Sequence, residues 1–454
     1  MKKIAKRSTF ALLLAVVLLL GGAAFLTKYF ISASDWVTFP GSPHVYRNGV
    51  LDVGTVTDRD GTVLLDGTEG RSFSEDAETR AAFLHLLGDR EGYIYAPMLP
   101  AYADSMIGYS KVQGLYGRSD ADVQVALSLS AKVQRTAVRA MNGARGTVGV
   151  YNYRTGELLC AVSTPTYDPE NRPDVEADDT GRYTGVYLNR FFNLTYTPGS
   201  IFKLVTTAAA LEKESDAESR TFTCDGKTII GGQEVICAGH HGQIGLPEAL
   251  ARSCNVAFGE LASDLGAGTL QSYAKKLGLC ESVSCDGYET AAGSCDLSSA
   301  DAGDTAWAGI GQYTVQVNAL TFLRFLGMIA AGDEAAQPYL MARISAGEDV
   351  LYEAEKKSAD CPLKPETCEK LRKMMRNNVE MIYGDGQFSG LHVCAKSGTA
   401  EHEGRTADAM FAGFVQDEQY PLAFVVFVEE GGAGSAAAAP IAAQVLAACK
   451  EVLS

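Results

Sequence analysis

The period of hydrophobic and polar positions changes several times along the chain. Lys2, Lys3, Lys6 and Arg7 precede an uncharged run from Ser8 to Thr27 whose heart is A-L-L-L-A-V-V-L-L-L-G-G-A-A-F-L. A run of about 20 residues rising roughly 1.5 Å each spans a bilayer core of about 30 Å. Residues 8–27 therefore read as a transmembrane signal anchor. Residues 1–7 form a cytoplasmic tail held inside by its positive charge, and the rest of the chain faces outward across the plasma membrane. Small residues at Ala23-Ala24 and Ser32-Ala33 leave a cleaved signal peptide as the alternative.

Beyond the anchor, residues 28–119 show short alternating pieces such as G-T-V-T-D-R-D-G-T-V-L-L, with a turn at Asp60-Gly61, beside a helical patch in R-A-A-F-L-H-L-L-G-D. They predict a small, mostly β domain that ends at the polar boundary Gly117-Arg118-Ser119-Asp120. Residues 120–454 form a larger domain. It opens with a helix at Ala131 to Met141 and a hairpin in T-V-G-V-Y-N-Y-R-T-G-E-L-L-C-A-V. Near its end, H-V-C-A-K-S-G-T, M-F-A-G-F-V and L-A-F-V-V-F-V read as strands, and P-I-A-A-Q-V-L-A-A-C-K-E-V-L as a last helix. A hairpin first, helices in the middle and strands last predict an α+β fold: one antiparallel sheet built from both ends of the domain, with helices on both faces.

Composition narrows the partners. The hydrophobic fraction of 46% is ample for two packed domains. With 39 basic against 55 acidic residues the net charge is −16, which excludes a polyanion such as nucleic acid as the natural partner. Eleven cysteines cannot all pair within one chain. Outside the membrane, Cys224 with Cys237, Cys361 with Cys368, and Cys280, Cys285 and Cys295 among themselves are candidate disulfides. A zinc site from Cys224, Cys237 and His240 or His241 is the competing reading of C-A-G-H-H, with the disulfide preferred; no metal or cofactor is assigned. Cys254 reads as packing inward.

Three short strings carry chemistry: S-I-F-K at Ser200 to Lys203, S-C-N at Ser253 to Asn255, and K-S-G-T at Lys396 to Thr399. Ser200 and Lys203 lie one turn apart in a helical run that Thr197-Pro198-Gly199 introduces, so a hydroxyl and an amine share one face beside free backbone N–H groups. A second S-x-x-K, Ser272 to Lys275, lacks the Pro-Gly lead-in and reads as a surface helix end.

The three strings in this order resemble the signature of the penicillin-binding protein and serine β-lactamase superfamily. Further strings are similar to the class B penicillin-binding transpeptidases: T-G-E-L-L-C-A-V-S-T-P-T-Y-D-P from Thr155, L-N-R at Leu188, H-G-Q-I-G-L-P-E-A-L-A-R-S-C-N from His241, G-I-G-Q at Gly309 and G-G-A-G-S-A-A-A-A-P at Gly431. The resemblance implies a transpeptidase fold on a non-catalytic pedestal. It departs at Val53, where arginine is usual before Gly54, at Ser397 in place of threonine, and at Tyr313 in place of glycine.

By the same resemblance, Ser200 is the nucleophile and Lys203 its base. Ser253 relays a proton, Asn255 holds the substrate amide, and Lys396 orients the relay and attracts the substrate carboxylate. Ser397 and Gly398 line the substrate strand, and the N–H groups of Ser200 and Thr399 form the oxyanion hole. The implied reaction is D,D-transpeptidation of peptidoglycan stem peptides through an acyl-enzyme, with β-lactams as covalent inhibitors and a peptidoglycan glycosyltransferase of the division or elongation machinery as partner. A D,D-carboxypeptidase, a serine β-lactamase and a non-catalytic scaffold are the alternatives; E-x-x-L-N of the class A β-lactamases is absent from the sequence.

Overall fold

The computed structural model describes residues 2–454 except 40–41, 43–45, 48–49, 52–53, 68–71, 108, 113 and 116–122. Lys2–Val37 is one 36-residue helix whose most apolar window has mean hydropathy 2.6 and is wholly exposed. It overruns residues 8–27 because no proline interrupts the chain before Pro40. The final helix, Gly434–Leu453, is also long and apolar, but half of its apolar window is buried, as befits a core helix.

A five-stranded antiparallel sheet organises the larger domain, in the order Leu158–Thr164, Gly146–Asn152, Leu422–Val428, Arg405–Val415, Val393–His402. Its strands come from both ends of the domain, as the hydrophobic pattern predicts. Alternate residues face opposite layers. Val148, Val150, Phe411, Phe424 and Val426 pack with Val133, Ala137 and the last helix. Tyr151, Met410, Ala412, Val425 and Phe427 belong to the core that includes Phe322 and Phe325 of the helix Ala319–Ala331. Burying one such side chain contributes roughly 1.5–3 kcal/mol, so both faces are apolar and L-A-F-V-V-F-V shows no alternation. Val393–His402 is the edge strand, which leaves its outer hydrogen-bonding edge for other use.

The smaller sheet has six strands, in the order Asp349–Glu353, Met341–Ala346, Val123–Leu127, Thr55–Thr57, Val63–Asp66, Ser72–Phe73. Two of them come from beyond residue 340, so the pedestal sheet is completed by chain that the sequence reading assigns to the larger domain. The boundary at Gly117 to Asp120 and the departure at Val53 lie outside the described residues. Asp58 welds the two parts: its carboxylate accepts from Asp60 N and Thr62 N within its own turn and from Ala131 N at the start of the helix Ala131–Met141.

All eleven cysteines are free thiols. This corrects the expected pairings. Cys361 and Cys368 touch at 3.5 Å without a bond, and Cys237 lies against Cys254 rather than bridging to Cys224.

Candidate active site

Ser200 sits in a 3-10 turn, Gly199–Phe202, and the α-helix proper begins at Lys203 and runs to Lys213. The nucleophile candidate thus lies one turn ahead of the helix that the pattern predicts. Gly199 holds φ +51, and a Cβ there would stand 2.3 Å from the Thr399 carbonyl oxygen. Gly311 of G-I-G-Q holds φ +85, and its Cβ would stand 1.9 Å from the Gly199 carbonyl oxygen, while Gly199 N donates to Gly311 O at 2.9 Å. Two glycines therefore let the serine turn press between G-I-G-Q and the K-S-G-T strand. Gly398 adds to this: a Cβ would meet Pro198 O at 2.9 Å and Ile201 Cγ2 at 3.1 Å. Its missing side chain makes room for the serine turn.

Lys203 is fully buried, and its ammonium nitrogen gathers the second motif. Nζ donates to Ser253 O at 2.8 Å, Ser253 Oγ at 3.2 Å and Asn255 Oδ1 at 2.7 Å. Burial pushes its pKa down to about 7. Lys396 is equally buried; burial and then the nearby Lys203 charge hold it well below the usual lysine range, and its Nζ donates to Ser397 O at 2.9 Å. Both amines lie beneath a cleft of about 500 Å³ lined by Ser200, Ser253, Asn255, Ser397 and Thr399 together with Arg252, Trp307 and Glu401.

Ser253 is a non-glycine residue at φ +56, held by Ser253 N donating to Leu250 O at 3.2 Å and by the helix Asn255–Leu265 that Cys254 caps. Asn255 is committed at both ends, since its Nδ2 donates to Ile236 O at 2.8 Å. Its amide braces Lys203 against the hairpin Lys227–Ile230 and Gln233–Ile236, a use beyond the expected hold on a substrate amide.

The edge strand supplies the rest. Ser397 N donates away from the sheet to Tyr383 Oη at 2.9 Å, and the same hydroxyl donates to Ser397 Oγ at 2.9 Å. With the two-residue period of a strand, the Thr399 N–H leaves the same edge, beside the serine turn. Tyr383 belongs to the π-helical segment Val379–Tyr383 and carries no sequence signal that points to the cleft. All eight sequence-assigned site residues converge here, whereas Ser272 and Lys275 are exposed on the helix Ala267–Lys276.

L-N-R proves structural. Asn189 caps Arg190–Asn193 and donates to His85 O, and buried Arg190 pairs with Glu429 at 2.7 Å just ahead of the glycine-rich string. Tyr313 stands at φ +60, the conformation that explains why glycine suits this position.

A family model described as the penicillin binding protein transpeptidase domain matches residues 146–447. Among curated proteins, the peptidoglycan D,D-transpeptidase PbpA of Mycobacterium tuberculosis is 27% identical over 442 residues, covering 85% of this chain and 88% of that one. Stage V sporulation protein D of Bacillus subtilis is 26% identical over 350 residues, covering 71% and 53%. Among solved structures, penicillin-binding protein A from M. tuberculosis, as its imipenem acyl-enzyme complex, superposes with a TM-score of 0.74 at 25% identity over 87% of this chain and 98% of that one.

Proposed function

The chain belongs to the penicillin-binding protein transpeptidase family, and on that premise we propose that it is a membrane-anchored serine D,D-transpeptidase that cross-links peptidoglycan stem peptides. The observation that carries the reading is the buried, unpaired-by-charge Lys203 amine, bonded to Ser253 and Asn255 one turn from Ser200 on the cleft.

Neutral Lys203 takes the Ser200 proton as Oγ attacks the carbonyl of the penultimate D-Ala. The negative oxygen that forms is held by the N–H groups of Ser200 and Thr399. Ser253, hydrogen-bonded to Lys203, passes the proton to the departing terminal D-Ala, which leaves as a free amine. An amine on a neighbouring stem then attacks the acyl-enzyme, gives up its proton along the same route and restores Ser200. The substrate lies as an added strand along the outer edge of Val393–His402, beyond the stretch that Tyr383 holds. The Lys396 amine donates an N–H to its carboxylate, and Ser397 and Gly398 belong to the strand that receives it. A β-lactam presents the same carbonyl in a ring, so the leaving amine stays tethered and the ester persists.

The anchor Lys2–Val37 holds the enzyme at the plasma membrane, cytoplasmic end first, with the cleft outside. The pedestal is the surface for a peptidoglycan glycosyltransferase partner. Full-length protein in detergent is expected to gain the mass of one penicillin, absent in Ser200→Ala. No adduct on wild type rejects the nucleophile; an adduct with loss of pentapeptide but no cross-linked dimers, in muropeptides made by the purified enzyme, makes it a carboxypeptidase.

A further inference from the structure

Behind the Ser253–Asn255 turn, four metal-ligating side chains meet: Cys224, Cys237, His241 and Cys254, their sulfur and nitrogen atoms all within 4.8 Å of one another. We propose that they form a closed tetrahedral zinc site that fixes the S-C-N turn. Zinc holds thiolate sulfur at about 2.3 Å and imidazole nitrogen at about 2.0–2.1 Å, which places tetrahedral S···S edges near roughly 3.8 Å and S···N edges near roughly 3.5 Å. The distances here are 3.9 Å between Cys237 Sγ and Cys254 Sγ, and 3.6 Å between Cys237 Sγ and His241 Nδ1. These two edges are already at the spacing of a filled site, and the other four lie within 4.8 Å.

The four ligands come from separate pieces of chain. Cys224 ends the strand Thr221–Cys224, Cys237 follows the strand Gln233–Ile236, His241 precedes Gly242–Gly245, and Cys254 caps the helix Asn255–Leu265. The chain is arranged to deliver them: His241 N donates to Cys224 O at 3.0 Å, and Cys237 N to Gly226 O at 2.8 Å. The neighbouring His240 turns out to solvent beside Gly226, which resolves which histidine belongs to the set. A disulfide accounts for two sulfurs and leaves a third buried thiol and an inward imidazole without a role. One divalent cation satisfies all four. The three thiols give up their protons to solvent on binding, so the filled site carries a net charge of about −1 and affinity rises with pH.

Every position is taken by protein, so this zinc has no open coordination place and does no chemistry of its own. Its work is positional. Cys254 lies between Ser253, at φ +56, and Asn255, whose amide spans Lys203 and Ile236 O, the carbonyl next to Cys237. Metal bonds to Cys237 and Cys254 thus clamp both ends of the bridge that orients the Lys203 amine.

The test uses full-length protein in detergent, made without a histidine tag and purified without chelator. Elemental analysis is expected to find about one zinc per chain, retained in Cys361→Ser and lost in Cys224→Ser and in His241→Ala. Cobalt exchanged into the protein is expected to show thiolate-to-cobalt charge transfer and tetrahedral ligand-field bands. Stripping with a strong chelator is expected to lower Tm by at least about 5 °C and to slow labelling by a fluorescent penicillin about tenfold, with recovery on adding zinc. Zinc-free protein with four free ligands, or a Cys237–Cys254 disulfide in a non-reducing peptide map, overturns the proposal. Metal content is read without any acylation, so zinc in a chain that takes no penicillin retires the transpeptidase reading alone, and penicillin labelling of zinc-free protein retires the metal site alone.

Discussion

Lys203 Nζ lies 2.7 Å from Asn255 Oδ1, with Asn255 Nδ2 tied to Ile236 O at 2.8 Å. The buried amine requires an acceptor, which turns the carboxamide so that its NH2 faces the hairpin. One side chain therefore couples the candidate base to the cleft wall.

Acylation should follow the neutral form of Lys203. Since burial brings its pKa to about 7, the rate of penicillin labelling is expected to rise with pH through about 7 and then level off. Asn255→Asp places a carboxylate against the amine and should move this limb upward by about 1–3 pH units. A limb that stays near 7 in the variant would show that another group titrates. Stability follows the same shift: between about 7 and the ordinary lysine value near 10.4, the unfolded chain binds more protons, so the Lys203 contribution to stability rises with pH over that window. The rise should be missing in Lys203→Met.

Gly311→Ala puts a methyl group 1.9 Å from Gly199 O at a φ of +85. The serine turn must shift, and displacement of a reacting atom by about 1 Å costs on the order of 100-fold in rate. Stopped-flow labelling with fluorescent penicillin is expected to show that loss while far-ultraviolet circular dichroism stays native.

Tyr383→Phe removes the acceptor of Ser397 N and the donor to Ser397 Oγ together. Leaving a buried N–H unpaired costs about 1–3 kcal/mol, and this partly buried one falls at the low end. Labelling is expected to slow about tenfold, and unchanged kinetics would mean that the edge strand keeps its shape without the tyrosine.

Arg190→Met leaves Glu429, among the described residues, with Arg145 as its remaining cation, at 3.4 Å. Removing one partner of a buried pair costs about 3–5 kcal/mol, less here because of that second cation. A fall in Tm is the expected result, without change in the pH limb of labelling.

The candidate catalytic strings were legible because the residues proposed as nucleophile, base and relay sit in short local segments whose spacing survives any detail of packing. Their directions were not. The turn at Ser200 is 3-10 rather than α because Gly199 and Gly311 draw it onto neighbouring chain, a contact between residues 112 positions apart. Asn255 looks like a substrate ligand from S-x-N alone, and only the fold reveals Ile236 O behind it. Tyr383 was invisible because its contact to Ser397 crosses from a π-helical segment with no motif. The central sheet was readable from its doubly buried apolar runs, whereas Met341–Ala346 and Asp349–Glu353 gave no sign that they complete the sheet of the other domain.

The hydrogen-bonded pairing of Gly146–Asn152 with Leu422–Val428 dictates an order of assembly. Ser200 leaves the ribosome long before the strand that pairs with Gly146–Asn152 and the lysine of K-S-G-T. A nascent chain caught midway therefore carries a serine without the rest of its cleft, which is complete only when the carboxyl-terminal strands have arrived.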